Sequence, residues 1–278
     1  MENLSEKASK LFTLPSIVFQ LQEMLYNQTS TAEEIGELIG LDPALTARIL
    51  RLANSSFYSF PAQIDTVSRA VTIVGTNEIY NLALATAAVS TFRGVNSKII
   101  DMPRFWRHSV YTGLFARNLL TQIGIRNAES VFVAGLLHNI GLLVLLEQAP
   151  EKVNEVADIE KGLPSWEKEQ KILNFRLSEV SGDLLKAWNL PPSLCEPVFH
   201  QHHPENTAEE FQQSAACVYL GLRVASSIVY DCEYDYMGSL TPEAFALAGV
   251  DQENIAEAMV YADENVHQIL AILCPEAL

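Results

Sequence analysis

Apolar residues recur at spacings of three and four along nearly the whole chain, and this pattern constrains the fold more than any other. Ile17, Leu21, Met24 and Leu25 show it near the N-terminus, where the spacing places all four on one helix face. Stretches of period-two alternation bounded by turn residues, which would indicate strands, are missing. The sequence therefore predicts an all-α, multi-helix bundle of about twelve helices with no significant sheet.

Several short motifs predict where helices begin. A Thr or Asp before the first helical turn can accept a hydrogen bond from a backbone N–H that has no partner inside the helix. Proline directly after such a residue suits the first helical position. The predicted starts are Thr31 to Glu34, Asp42-Pro43, Thr207 to Glu210 and Thr241-Pro242.

Val131 to Leu146 is almost wholly apolar but spans only sixteen residues, with His138 and Asn139 in its middle. A membrane-spanning helix needs about twenty apolar residues. We therefore interpret this stretch as the buried central helix of a soluble protein.

Composition favours a well-packed globular chain, with 49% hydrophobic and 19% charged residues in 278 positions. Its formal net charge of −16 disfavours binding to nucleic acid and to anionic membranes, because both repel an acidic protein. The four cysteines, at 195, 217, 232 and 274, form no C-x-x-C pair and are typical of buried thiols in a reducing cytosol. The N-terminus has no apolar signal segment, so we expect a cytoplasmic protein.

The stretch Gln201 to Thr207 is the best candidate for a domain boundary. The sequence before it, 8–206, reads as one compact helical domain. After it, 207–278 is predicted to form a C-terminal helical extension that packs on the same bundle, with long helices near 208–230 and 252–273.

His108, His138 and Asn139 are the first candidates for a site. Neighbouring residues of a helix project about 100° apart, so His138 and Asn139 can both reach one point beside the helix. A buried, hydrogen-bonded His and Asn would have the same pattern without any ligand. Two histidines could still bind a borderline transition metal weakly, although hard divalent cations prefer carboxylate oxygen.

His200, His202 and His203 form the only histidine cluster in the sequence. Proline follows immediately and no pair has helical i, i+4 spacing, so a loop or helix end is the expected location. His202 and His203 are therefore only weak metal candidates.

Residues 32–52 resemble a helix-turn-helix, with Arg48 and Arg51 on the second helix. Glu33 and Glu34 crowd the same unit, and helix pairs of this kind are also ordinary packing devices. A DNA-binding regulator is therefore kept as an alternative that would require salt-dependent DNA binding.

The order of several segments resembles the HDOD family, the HD-related output domains of bacterial signalling proteins. The resemblance covers about 14–204, most of the chain. It is carried by Leu14-Pro15-Ser16, Leu41 to Leu45, Leu50 to Ser55, Ile64, Ser68 to Val71, Ile73 to Gly75, Phe105 to Ser109, Ala134 to Gly141 and His202-His203-Pro204.

The resemblance implies a helical signalling or output module that acts with sensor kinases, response regulators or cyclic-di-GMP enzymes. Active HD phosphohydrolases hold metal with a His, a His-Asp pair and a distal Asp. Here the matching positions are His108, His138-Asn139 and Leu222, with Asp231 and Asp235 left as possible substitutes for the distal Asp.

The resemblance thus favours a degenerate metal site with no catalytic residue, no expected cofactor and at most weak binding of a divalent metal. The alternative is a metal-dependent phosphohydrolase of the HD superfamily that acts on a nucleotide or cyclic dinucleotide.

Overall fold

The structure, a computed structural model, describes residues 2–27, 30–58, 60, 63–95, 98–125, 128–158, 163–230 and 234–277. These residues form α-helices and two 3-10 helices, with no strand assigned among them. The predicted all-α fold is confirmed. The α-helices are α1 (Glu2–Leu11), α2 (Ser16–Asn27), α3 (Ala32–Gly40), α4 (Pro43–Ala53), α5 (Val67–Val74), α6 (Thr76–Thr91), α7 (Met102–Gln122), α8 (Glu129–Leu137), α9 (Ile140–Gln148), α10 (Pro150–Asp158), α11 (Ser165–Leu173), α12 (Leu177–Ala187), α13 (Pro192–Phe199), α14 (Glu209–Val229), α15 (Pro242–Ala248) and α16 (Gln252–Leu273).

There are more helices than the dozen predicted, because several apolar stretches are divided by short turns. The 3-10 helices, Pro204–Asn206 and Pro275–Ala277, each follow a longer α-helix. Helix ends of this kind are poorly signalled by apolar periodicity, which reports a face and not its limits.

Helix α7 is the centre of the bundle and packs against α8, α14 and α16. Its residues Tyr111, Leu114 and Phe115 are fully buried. The N-terminal half of the chain adds α3 against α5 and α4 against α6, while α12 contacts α9 and α13. The division of the chain near residue 207 stays a prediction.

Three of the predicted helix starts are confirmed. Thr31 forms a capping box with Glu34, and the Asp42 carboxylate accepts hydrogen bonds from the first turn of α4. Thr241 accepts one from the Ala244 N–H. Each bond satisfies a backbone donor that the helix itself leaves free.

The capping box predicted at Thr207 is wrong. Helix α14 begins one residue later, after Ala208, which offers no side-chain acceptor. The Thr207 hydroxyl instead lies 3.3 Å from a Glu196 carboxylate oxygen on α13. The Thr207 side chain therefore makes a tertiary contact with α13, whereas the local sequence pattern predicted that it would cap α14.

The central apolar stretch is also not the single helix that was predicted. Its segment Glu129–Gln148 is long and apolar enough to cross a membrane, but 83% of the apolar window is buried inside the protein. The helical hydrogen bonding is interrupted at His138 and Asn139, so α8 ends and α9 begins there.

Side chains from other parts of the bundle stabilise this interruption. The Gly141 N–H donates to Ser181 Oγ over 2.8 Å, and Gln201 Nε2 donates to the His138 carbonyl over 3.0 Å. Buried backbone groups need such partners when they leave a helical ladder. The break therefore depends on α12 and on the segment after α13.

The helix pair α3 and α4 contributes to the core, and of its two arginines Arg48 is engaged with another helix while Arg51 is exposed. Ile39 and Ile49 are fully buried, and the Arg48 guanidinium donates to Ser90 Oγ on α6 over 2.8 Å. Three cysteines, Cys195, Cys217 and Cys274, are buried free thiols. Cys232 and Asp231 lie outside the described residues.

Candidate functional site

The structure brings His108 of α7 and His138, at the end of α8, together in the interior. Their ring centroids are 5.0 Å apart, and the two side chains are 4% and 3% exposed. Asn139, the next residue, is half-buried and lines the same cavity as both rings.

A glycine contact between α7 and α8 allows this approach. A Cβ added at Gly135 would lie 2.5 Å from Gly113 Cα, and one at Gly113 would lie 2.5 Å from the Phe132 carbonyl oxygen. Because neither position has a side chain, the two helix backbones can come close enough for their histidines to meet.

The hydrogen bonds of His108 assign its tautomer. Nε2 lies 3.2 Å from the Leu222 carbonyl oxygen and 2.9 Å from Ser226 Oγ. The carbonyl can only accept, and the Ser226 hydroxyl already donates to that carbonyl over 2.7 Å, so Nε2 must carry the proton. Nδ1 then has a lone pair, and it makes no hydrogen bond with the described residues.

His138 has the opposite tautomer. Its Nδ1 lies 2.6 Å from the Gly135 carbonyl oxygen, which can only accept. The proton is therefore on Nδ1 and the lone pair on Nε2.

Both rings are kept neutral by their surroundings. Burial, followed by the neighbouring His138, lowers the pKa of His108 to about 3, while the hydrogen bond to Leu222 acts in the opposite direction. Burial likewise lowers the pKa of His138 to about 4, against the effect of its bond to Gly135. Two unprotonated nitrogens are thus available in the interior at neutral pH.

The two histidines are oriented as metal ligands often are, since each donates its other N–H to a backbone carbonyl. The other two positions that match the HD metal-binding residues, Asn139 and Leu222, do not fit a hydrolytic divalent metal. Asn139 supplies a neutral amide, and Leu222 supplies an apolar side chain that is 4% exposed. Neither provides the anionic oxygen that a hard cation prefers.

Asp235 does not replace the missing distal carboxylate. Its Oδ1 accepts a hydrogen bond from the Gly238 N–H over 2.8 Å in an exposed turn. Within the described parts of the chain, no group of three or more His, Cys, Asp or Glu side chains is placed to hold a metal ion.

Glu169 on α11 is a residue of this region that the sequence analysis missed. It is 6% exposed and its Oε2 accepts a hydrogen bond from the Leu177 N–H over 2.8 Å. Burial raises its pKa to about 7, against the hydrogen bond from Leu177 and the nearby Arg176. Its neighbours Glu167 and Lys168 made the segment look like a solvated helix face, and only the spacing of three from buried Trp166 indicated otherwise.

The histidine cluster separates in the structure. His202 stacks on Trp166, with ring centroids 4.6 Å apart, and burial followed by the nearby Arg223 lowers its pKa well below the usual value. His200 and His203 lie 3.3 Å from the carboxylates of Glu196 and Glu205. Only His202 shares a cavity with His108 and His138.

Two cavities meet at His108, His138 and Asn139, which together are called the histidine frame below. The smaller, of about 40 Å³, is lined by both histidines, Asn139, Glu169 and His202. The larger, of about 380 Å³, extends towards α9, α10 and the segment before α7. They share His108, Asn139, Ser165, Glu169, Leu177, Ser226 and Tyr236.

Comparison with known proteins identifies the fold and the family. The HDOD domain matches residues 11–204 of the chain. A solved structure from Shewanella amazonensis named "putative phosphohydrolase" is 25% identical, covers 98% of both chains and has a TM-score of 0.76. A Geobacter sulfurreducens HDOD domain protein of unknown function is 21% identical, with 99% of this chain and 97% of that chain covered and a TM-score of 0.76.

A curated relative from Treponema pallidum, named only as an uncharacterized protein, is 25% identical over 214 residues, which are 76% of this chain. The match spans 41% of that relative's length. The match to the HDOD domain extends over more than half of this chain, from the end of α1 to the start of the first 3-10 helix, and it includes His108 and His138. The chain therefore belongs to the HDOD domain family.

Proposed function

We propose that this chain is a non-catalytic signalling module, in which a degenerate HD metal site serves as a ligand pocket or as a structural part of a partner-binding domain. The observation that carries the proposal is the donor set of the frame. Two neutral imidazoles are joined by an amide and a buried leucine, so these four side chains would not themselves offset the charge of a catalytic divalent metal.

Membership of the HDOD family supports a role in signal transduction, since the resemblance to that family implies an output module of bacterial signalling. The partners we propose are a sensor kinase, a response regulator or a cyclic-di-GMP enzyme, in the cytoplasm. The acidic balance of the chain, −16 at neutral pH, argues against nucleic acid and anionic membranes as partners.

The experiment that tests this proposal introduces the two missing carboxylates, at positions 139 and 222. The double variant Asn139→Asp with Leu222→Asp should be less stable than the natural chain without metal, because two carboxylates are buried and Leu222 loses its packing. Manganese should then raise its melting temperature by binding to the folded state. At a concentration one hundred times the Kd, that gain amounts to about 2.7 kcal/mol.

The control is Leu222→Asn alone, which removes the same packing without adding a carboxylate. We expect no manganese-dependent shift in that variant or in the natural chain. If the natural chain itself binds near-stoichiometric metal by elemental analysis, the proposal of a degenerate site is wrong.

A metal-dependent phosphohydrolase is the second candidate, supported by the two unprotonated histidine nitrogens and by the buried Glu169 carboxyl in the same cavity. The name of the Shewanella amazonensis protein points in the same direction. Turnover of a cyclic dinucleotide or nucleoside phosphate with manganese, lost in His138→Ala, would favour it. We expect no such turnover.

A further inference from the structure

The larger cavity beside the histidine frame has walls of two different kinds. One part is aliphatic, formed by Leu142 and Leu145 of α9 and by Val153 and Val156 of α10. Its volume of about 380 Å³ is in the range of pockets that hold small molecules. By comparison, an apolar cavity of about 150 Å³ already accepts benzene.

The other part of the wall is polar and rich in acceptors. His108, Asn139 and Glu169 lie there together. The tautomer of His108 leaves the Nδ1 lone pair without a hydrogen bond to the described residues, although the side chain is only 4% exposed. An unpaired acceptor at this depth is costly unless a ligand or water donates to it.

The charged residues of the lining are of one sign. Asp101 and Glu169 line the cavity, and none of the described lining residues is Lys or Arg. Two arginines lie nearby but outside the lining: Arg104 pairs with Asp101 at 3.5 Å, and Arg176 approaches Glu169. A ligand carrying a negative charge would therefore meet acceptors and carboxyl groups in the wall.

Aromatic rings complete the polar end. Tyr230 lies against His108 with ring centroids 5.1 Å apart, and both Tyr230 and Tyr236 line the cavity. Tyrosine rings beside a carboxylate favour an organic cation, because the ring face attracts positive charge.

We propose that this cavity binds an aliphatic primary ammonium compound, with its chain between α9 and α10 and its N–H groups directed to His108 Nδ1 and the Glu169 carboxylate. The inference rests on the proposed function, because it assigns a ligand class to the pocket of a non-catalytic module. It explains why a buried acceptor, a buried carboxyl and an aliphatic wall lie around one space.

The test is calorimetric titration of the full chain with four probes that share one alkyl chain: octylamine, octan-1-ol, octyltrimethylammonium and octanoate. The experiment is run at pH 8, above the pKa of about 7 that burial gives Glu169, and below the micelle concentration of each probe. We expect octylamine to bind at least ten times more tightly than octanoate and octyltrimethylammonium. The alcohol should bind with intermediate affinity, because it donates one hydrogen bond and has no charge.

Glu169→Gln tests the carboxylate, since its amide oxygen can still accept from the Leu177 N–H. It should weaken octylamine binding at least five-fold and leave octan-1-ol binding unchanged. The matched control is Glu167→Gln, the same substitution at an exposed position of the same helix, which should change neither. A preference for octanoate, equal binding of the quaternary probe, or an unaffected Glu169→Gln variant would overturn the inference.

Failure here is separable from failure of the proposed function. If none of the probes binds and the manganese experiment gives its expected result, the module remains non-catalytic and only the ligand class is wrong. If the natural chain binds metal stoichiometrically, the proposed function is wrong whatever the probes do.

Discussion

Two buried polar clusters lie on α7, and they differ in whether the protein satisfies its own groups. At Arg117, Nε and Nη2 donate to Glu129 Oε1 over 3.3 and 3.1 Å, and Nη1 donates to the Tyr261 hydroxyl over 2.9 Å. The guanidinium also lies 3.9 Å from the centre of the Phe57 ring. At His108 and His138, each ring uses one nitrogen for a backbone carbonyl and has a lone pair on the other, and that of His108 has no hydrogen-bond partner among the described residues.

The difference separates a structural network from a candidate site. A buried charge pair that serves stability must be closed, because an unpaired group costs its full desolvation free energy. The Arg117 guanidinium meets this condition, because each of its three nitrogens donates to a protein acceptor. In the histidine frame, the unprotonated nitrogen of each ring is not used by the bond to the backbone carbonyl, and the frame lies at the junction of two cavities. This is the arrangement expected of a ligand-binding site.

The largest expected effect comes from breaking the closed cluster. Arg117→Met should lower the free energy of unfolding by about 3–5 kcal/mol, because Glu129 would stay buried beside the Glu78 carboxyl without its cationic partner. The control is Arg93→Met, whose pair with Glu276 is 34% and 48% exposed, and it should cost less than about 1 kcal/mol. Urea denaturation measures both changes in the free energy of unfolding. If Arg117→Met cost no more than Arg93→Met, the contrast between the two clusters would be removed.

Glu169, which lines both cavities at the histidine frame, should make the free energy of unfolding depend on pH. Its folded pKa of about 7 lies above the ordinary value of 4.5, so the folded state binds the proton more tightly and stability falls as the pH rises through this window. The loss between pH 4.5 and 7 is on the order of 3 kcal/mol. Glu169→Gln should therefore gain stability relative to the natural chain between pH 5 and pH 8, as measured by urea denaturation.

The same urea denaturation of Glu169→Gln can also contradict the raised pKa of Glu169. A constant difference between Glu169→Gln and the natural chain at the two pH values would mean that Glu169 is ionised in the folded protein. The cavity wall would then carry a full negative charge at every pH tested.

The histidines should produce a pH dependence of opposite sign. Their folded pKa values, about 3 for His108 and about 4 for His138, lie below the ordinary 6.5, so only the unfolded chain gains protons as the pH falls through 6.5. Stability present above pH 6.5 is lost on acidification, by on the order of 2 kcal/mol per ring between pH 6.5 and pH 5.

The double variant His108→Gln with His138→Gln should lose less stability over the same pH interval, whatever its stability at pH 7. The matched control is the same substitution at His267, which is exposed and lies outside the histidine frame. An equal slope in the double variant would show that the two rings are protonated in the folded state.

The smallest expected effect tests the tautomers directly. Ser226→Ala removes one of the two acceptors of His108 Nε2 and should cost about 1 kcal/mol, because the Leu222 carbonyl still accepts. Nitrogen chemical shifts should report a protonated Nε2 in His108 and a protonated Nδ1 in His138, in the variant as in the natural chain. A protonated Nδ1 in His108 would remove the free acceptor from the cavity.

Local features of the sequence determined much of the fold. The apolar periodicity and the caps at Thr31, Asp42 and Thr241 act within a few residues, so their effect can be read along the chain. The same reasoning failed at Thr207, where a contact with Glu196 on another helix decided the role of the side chain.

The sequence by itself also supplied the residue types of the candidate site, since His108, His138 and Asn139 stood out before their geometry was known. Only the tertiary structure decided what those residues can do. The tautomers depend on the carbonyls of Gly135 and Leu222, and the break beside His138 depends on Ser181 and Gln201. These partners come mostly from segments distant in sequence, and burial sets the protonation, so no local pattern could have revealed them.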